Sequence, residues 1–273
     1  MYFITFSELL GTNGRKIAYE VAKKINYTFY GEEELVKAAS EMGFLSDIQH
    51  LDEKGPPLLE RFFTDKPKIY LDRLQSVIYE LAEKGDAVFF GRGSQLLLKS
   101  FDCALHVLVT GSMEKRIERV MADYHVGKEV AERIIEKSDH DKRGFTRFAF
   151  DEDWLNPKLY DLILNTDKLN VDSAVQMVIG SSKSEEIRAC GLDSVKKLGM
   201  LSLERKAEAA LLEGGAMDRN IFVEVRDIDA VRLYGMVYTP EEKETVADLI
   251  KKVKGVAKVD NDIQIVRGGM GGI

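Results

Sequence analysis

Gly11-Thr12-Asn13-Gly14 stands between an apolar run and a helical one, directly ahead of Arg15 and Lys16, and this is the arrangement of an anion site. Backbone N–H groups in such a turn and at the start of the following helix point together at a phosphate, where the helix dipole favours negative charge. Against the Walker pattern, Leu9 takes the first glycine position, Gly14 the second, Arg15 the lysine position and Lys16 the serine or threonine position. Arg15 can serve β- and γ-phosphate oxygens as a planar fork, where lysine would act as a point charge. Lys16 removes the hydroxyl that usually ligates Mg²⁺, which leaves nucleotide phosphates, water, Ser7 or Thr12 to hold the metal. The loop alone fits an ordinary strand-to-helix turn equally well.

The elements around this loop follow from hydrophobic periodicity. Tyr2 to Ser7 reads as a strand, and Ile17, Ala18, Val21, Ala22 and Ile25 mark one face of a helix after the loop. Ala87–Gly91 and Ala104–Thr110 are further apolar runs, each followed by helical sequence, and Asp161–Asn165 supplies another strand, so a parallel sheet with crossover helices is expected. About 60 residues between the first two runs are helical in pattern, broken by Gly55-Pro56-Pro57 and Pro67, and exceed what a crossover needs. Ser112 to His140 reads as two helices separated near Val126-Gly127, the second ending in the charge-dense Ser138–Arg143, a candidate lid.

Past a helical Val171–Ile179, the small polar run Gly180–Glu186 has the composition of a flexible linker. Beyond it come a helix over Ser194–Leu212, strands at Ile221–Val225 and Val231–Val237 across an Asp227-Ile228-Asp229 turn, a helix opened by Pro240 and ended by Gly255, and a last strand at Ile263–Val266. The fold class is therefore α/β with a small α+β unit of order αββαβ, without internal repeats.

A second candidate for anion chemistry is Arg92, between Gly91 and Gly93 at the C-terminal edge of a strand, where α/β sheets bind ligands. Its glycine neighbours allow close approach; the alternative is a salt bridge that ties the loop down. A dinucleotide fingerprint fails here, because Leu96 stands where a glycine is wanted. Arg116 and Arg119, three apart on a helix, read first as a solvated face and Trp154 and Tyr160 as packing anchors, while Asn165-Thr166 fits the cap of the next helix and the approach to a base equally well.

Across 273 residues, 45% are hydrophobic and 31% charged, as in ordinary globular proteins, and the length suits one large and one small domain. A net charge of −7 argues against broad adhesion to nucleic acid or anionic membrane. The N-terminus reads as a strand rather than a signal peptide, and no run of about 18 apolar residues occurs. Cys103 and Cys190, far apart in such a chain, are expected as reduced thiols in a cytoplasmic protein, and with four scattered histidines they make no zinc site.

Several stretches resemble the cytidylate kinase-like family over residues 1–180: Ile4-Thr-Phe-Ser-Glu-Leu-Leu-Gly-Thr-Asn-Gly-Arg-Lys-Ile-Ala18, Phe89-Phe-Gly-Arg-Gly93, Lys115–Met121 with Asp141-Lys-Arg143, and Asp153-Trp154 through Thr166. The chain departs from the family at Glu8, where the pattern carries arginine, and at Asn13, where it carries glycine. The resemblance implies a three-layer P-loop kinase-like domain with helices on both faces. It implies ATP and Mg²⁺ as cofactors, Gly11, Thr12, Asn13, Gly14, Arg15 and Lys16 at the donor phosphates, Arg92 at a nucleoside monophosphate acceptor such as CMP or dCMP, and Arg143 with Arg147 on a closing lid. Residues 194–267, after a linker at 181–193 and before a glycine-rich tail at 268–273, resemble the BON family, which implies a binding module, often for phospholipid surfaces; the small basic charge there favours an intramolecular or protein-partner role instead. The expectation is an ATP-dependent nucleotide phosphotransferase; the alternative is a catalytically weak or inactive nucleotide-binding pseudokinase or sensor, and a third reading makes the first domain a scaffold. Oligomerisation stays open.

Overall fold

Phe3–Glu8 is almost wholly buried, as a strand covered on both faces must be, and forms β1 in the middle of a parallel sheet. The computed structural model describes residues 3–44, 66–187, 190–216 and 220–266. The sheet runs β2 (Thr28–Tyr30), β3 (Ala87–Phe90), β1, β4 (Ala104–Thr110), β5 (Leu162–Asn165), with every neighbouring pair parallel. Alternate residues of these strands feed two cores. Phe3 and Phe89 pack with Leu74, Ile78 and Leu98 on one face; Ile4, Phe6, Val88 and Val107 pack with Ile17, Val21 and Val175 on the other.

The helices that supply those faces are α1 (Gly14–Ile25), α2 (Glu32–Glu41), α3 (Lys66–Glu83), a short α4 (Ser94–Leu97), α5 (Met113–Tyr124), α6 (Lys128–Phe150) and α7 (Val171–Ser181). The four longer strands and the glycine loop lie where the apolar runs put them. The three-residue β2 has too little sequence to show periodicity. Helix α6 does not end at the charged Ser138–Arg143 but continues to Phe150, because Phe145 and Thr146 are buried beyond it and the charges are its solvated face. The Gly55-Pro56-Pro57 break and the 268–273 tail lie outside the described residues.

The second unit comprises α8 (Leu192–Glu213), the antiparallel pair β6 (Ile221–Asp227) and β7 (Ala230–Val237), α9 (Pro240–Lys251), and β8 (Lys258–Ile265) parallel to β7. Thr239 and Glu242 close a capping box at the start of α9. Leu203, Ala207 and Leu211 of α8 join Val231, Leu233, Val246 and Ile250 in its core.

The opposite side of α8 lies along α3. Ser202 Oγ donates to the Ser76 carbonyl at 3.0 Å, Lys206 reaches Glu80 at 2.6 Å, and Arg73 reaches Glu213 at 3.0 Å. Cys103 and Cys190 are bonded to each other, with Cα atoms 5.2 Å apart. The expectation of two reduced thiols is thus corrected: the fold folds the chain after α7 back to the start of β4, and 87 positions of separation vanish in space. Joined in a disulfide, the two cysteines no longer favour a reducing compartment.

Candidate functional site

The C-terminal ends of β1 and β3 and the N-terminus of α1 meet at the glycine loop. Asn13, in the left-handed conformation ahead of α1, makes no side-chain cap. Glu8 does this work instead: its Oε2 accepts from Gly14 N at 2.7 Å and from the Thr12 hydroxyl at 3.3 Å, and the Arg15 backbone N–H also donates to the carboxylate. A helix start offers unsatisfied N–H groups and a positive dipole end, and here a carboxylate of the same chain takes both. A Cβ on Gly14 would stand 2.7 Å from Glu8 Oε2, so glycine is what lets the carboxylate in. Burial pushes the Glu8 carboxyl above its usual value, opposed by the Lys142 charge and the N–H groups of Gly14 and Arg15.

The loop's back is equally occupied. Arg116, only 4% exposed, donates through Nε to the Leu10 carbonyl at 2.8 Å and grips Asp139 through both carboxylate oxygens at 2.8 and 2.9 Å. Arg119 donates to the Gly11 carbonyl at 3.2 Å and to Thr166 Oγ1 at 2.9 Å. These two arginines therefore brace the loop rather than form a solvated face. Thr166 joins that bracing by donating to the Thr12 carbonyl at 3.1 Å, and Asn170, not Asn165, caps α7.

The remaining sequence candidates divide between two places. Arg15 and Lys16 are exposed beside the loop, the Arg15 guanidinium 5.7 Å from the centre of the Phe29 ring. Thr12 is fully buried and donates to the Leu9 carbonyl at 2.8 Å. Arg92 is 7% exposed, holds the left-handed conformation at φ 57°, and pairs with Glu32 at 2.8 Å. A non-glycine residue held there is strained, and such strain collects at functional positions. On α6, Arg143 and Arg147 are exposed and Arg147 pairs with Asp151 at 3.4 Å.

The α6 residues that face the loop are Lys142, Phe145 and Thr146, one turn of a single face that sequence reading passed over. Lys142 donates to the Glu8 carbonyl at 2.8 Å and lies 5.7 Å from the centre of the Trp154 ring. Trp154 and Tyr160 are buried anchors as expected. The Tyr160 hydroxyl donates to the Trp154 carbonyl at 2.6 Å, and burial pushes its pKa up to about 12.

A model of the cytidylate kinase-like family matches residues 3–168, more than half of the sequence. The chain belongs to that family. A BON domain model matches residues 202–267, so this member of the cytidylate kinase-like family carries a C-terminal BON domain. No curated protein matches the chain. Among solved structures, an uncharacterised protein from Eubacterium ventriosum is 20% identical with a TM-score of 0.55, over 68% of this chain and 100% of its own. A shikimate kinase from Bacteroides thetaiotaomicron is 12% identical with a TM-score of 0.42, over 67% and 99% respectively. The first of these likenesses speaks for the fold, not for a substrate.

ATP and Mg²⁺ are what the family implies, and the residues present do not fit them. The N–H groups that would hold donor phosphates already hold Glu8, and lysine replaces the metal-binding hydroxyl. No helix among the described residues is long and apolar enough to cross a membrane.

Proposed function

We propose that this member of the cytidylate kinase-like family is a pseudokinase: it keeps the kinase fold, does not transfer phosphoryl groups from ATP, and passes the state of its loop region to a partner through the BON domain. The observation that carries this reading is the Glu8 carboxylate on the N–H groups of α1, in the place a donor phosphate would need. Phosphoryl transfer depends almost wholly on positioned positive charge and metal. Here Arg116 and Arg119 serve loop carbonyls and Lys142 serves the Glu8 carbonyl. The close packing of α8 on α3 supports the second half of the reading, because it couples the BON domain to the helix that leads into β3 and Arg92.

The test is ADP formation by the purified chain with ATP and Mg²⁺ against a panel of nucleoside monophosphates, beside an Arg92→Ala control. The expected result is no turnover with any acceptor. Turnover with CMP or dCMP that the control abolishes would establish a kinase and sink the proposal.

A further inference from the structure

Beside the closed loop, under α6, lies a narrow cavity of about 40 Å³ whose walls include Ser7, Arg92, Gln95, Lys142, Thr146 and Trp154. Two of these walls carry polar atoms that find no partner among the described residues: Trp154 Nε1 and Gln95 Oε1, on side chains each only 3% exposed. A buried donor or acceptor left unmade costs about 1–3 kcal/mol, so native chains seldom carry two along one small cavity unless something fills it.

The chemistry of the walls narrows the occupant. Trp154 Nε1–H can only donate, so it needs an acceptor. Gln95 spends its amide nitrogen on the Tyr160 hydroxyl at 3.4 Å and leaves Oε1 without a partner, so it needs a donor. Lys142 uses one of its three donors on the Glu8 carbonyl and keeps two. Arg92 adds a second cation to the wall. The occupant therefore accepts from several donors, donates at least once and is negative.

Size excludes an enclosed nucleotide, since pockets that bury drug-sized ligands run to about 300–1,000 Å³. A buried water needs about 10–15 Å³, so about three waters or one tetrahedral oxyanion fill this volume. Two cations in the wall favour the anion. Glu8, also in the wall, is the objection, but its carboxylate is engaged with the loop N–H groups and its pKa is raised, which lessens its repulsion.

We infer that this cavity is a binding site for free hydrogenphosphate or an oxyanion of its size, recognised by Trp154 Nε1–H, Lys142 and the Gln95 amide. The inference rests on the pseudokinase reading, in that a donor loop closed by Glu8 leaves this cavity, among the described residues, as an anion-suited space between α6 and the sheet edge.

Trp154 is the single tryptophan of the chain, so its fluorescence reports on the cavity alone. The experiment titrates the full chain at constant ionic strength with inorganic phosphate, and in parallel with sulfate, chloride, CMP and ATP. Expected is a saturable change with phosphate but not chloride, weakened about tenfold or more in Lys142→Met, as loss of one charge-assisted hydrogen bond implies. Thr146→Val is a milder second variant that leaves the Lys142 contact to Glu8 in place, and it should weaken binding less. Silence with phosphate and sulfate at millimolar concentration in a folded wild-type chain would overturn the inference, whether waters or nothing fill the space. A response to CMP without one to phosphate would overturn it too, in favour of a nucleotide subsite. The ADP assay reads the other claim separately: no turnover together with no phosphate response removes this inference and leaves the pseudokinase standing.

Discussion

Cys103, one residue ahead of β4, is bonded to Cys190, two residues ahead of α8, and so the strand beside the central β1 is tied to the helix that opens the second unit. Such a cross-link acts largely by restricting the unfolded chain, and for a loop of 87 positions the entropy model gives about 4.6 kcal/mol. Cys190→Ser is expected to lower unfolding stability in urea by about that amount. Alkylation of denatured, unreduced protein should leave both sulfurs unmodified; a mass gain of two adducts would refute the pairing.

Glu8 caps α1 and at the same time excludes other anions from it. Glu8→Ala is therefore expected to have two opposite effects. Stability falls by about 1–2 kcal/mol, the usual cost of losing a helix cap. Binding of inorganic triphosphate or ATP is expected to be missing in the wild type and to appear in calorimetry once the N–H groups of Gly14 and Arg15 are free. A variant that loses stability yet binds no polyphosphate would show that the loop is shut by its backbone, not by Glu8.

Gly11 holds φ at +87°, and a Cβ there would sit 2.7 Å from the Arg116 carbonyl oxygen, a backbone atom that cannot swing aside. Gly11→Ala is expected to cost about 2 kcal/mol or more, combining left-handed strain with the clash. Thermal melts would check it, and an unchanged melting temperature would mean that the loop is looser than its arginine bracing implies.

How far the sequence reveals this site depends on whether a feature is local. The strands at 87–91 and 104–110 are legible because apolar runs of that length have few other uses, and the glycine loop because its turn residues precede a clear helical face. The carboxylate at Glu8 is visible as a departure from its family, but that it bends back onto Gly14 is a matter of loop geometry. Lys142 hides behind its neighbour Arg143: the helix phase that buries Phe145 and Thr146 selects Lys142 for the site and turns Arg143 to solvent. The Cys103–Cys190 bond and the α3–α8 contact are long-range, and no spacing rule reaches them.

At that long-range contact, Asp72 on α3 and Glu204 and Glu208 on α8 crowd one guanidinium, Arg205, at 3.3, 3.3 and 2.6 Å. Burial, with repulsion among the carboxylates, lifts Asp72 to about 6 and Glu208 to about 7 against the pull of Arg205. Arg73, Tyr79, Glu80 and Glu83 on α3 and Lys206 and Glu213 on α8 also line this seam. Both raised carboxyls bind protons more tightly when α8 is docked than when it is released. Their contribution to docking is therefore full below the ordinary carboxylate range and is lost as pH rises through 6 to 7. Amide exchange in α8 is expected to be slower relative to the intrinsic rate at about pH 5.5 than at about pH 8, and Glu208→Gln should flatten that difference. A wild-type protection profile that is level across this range would mean that Arg205 holds all three carboxylates ionised and that the two units stay together regardless of protons.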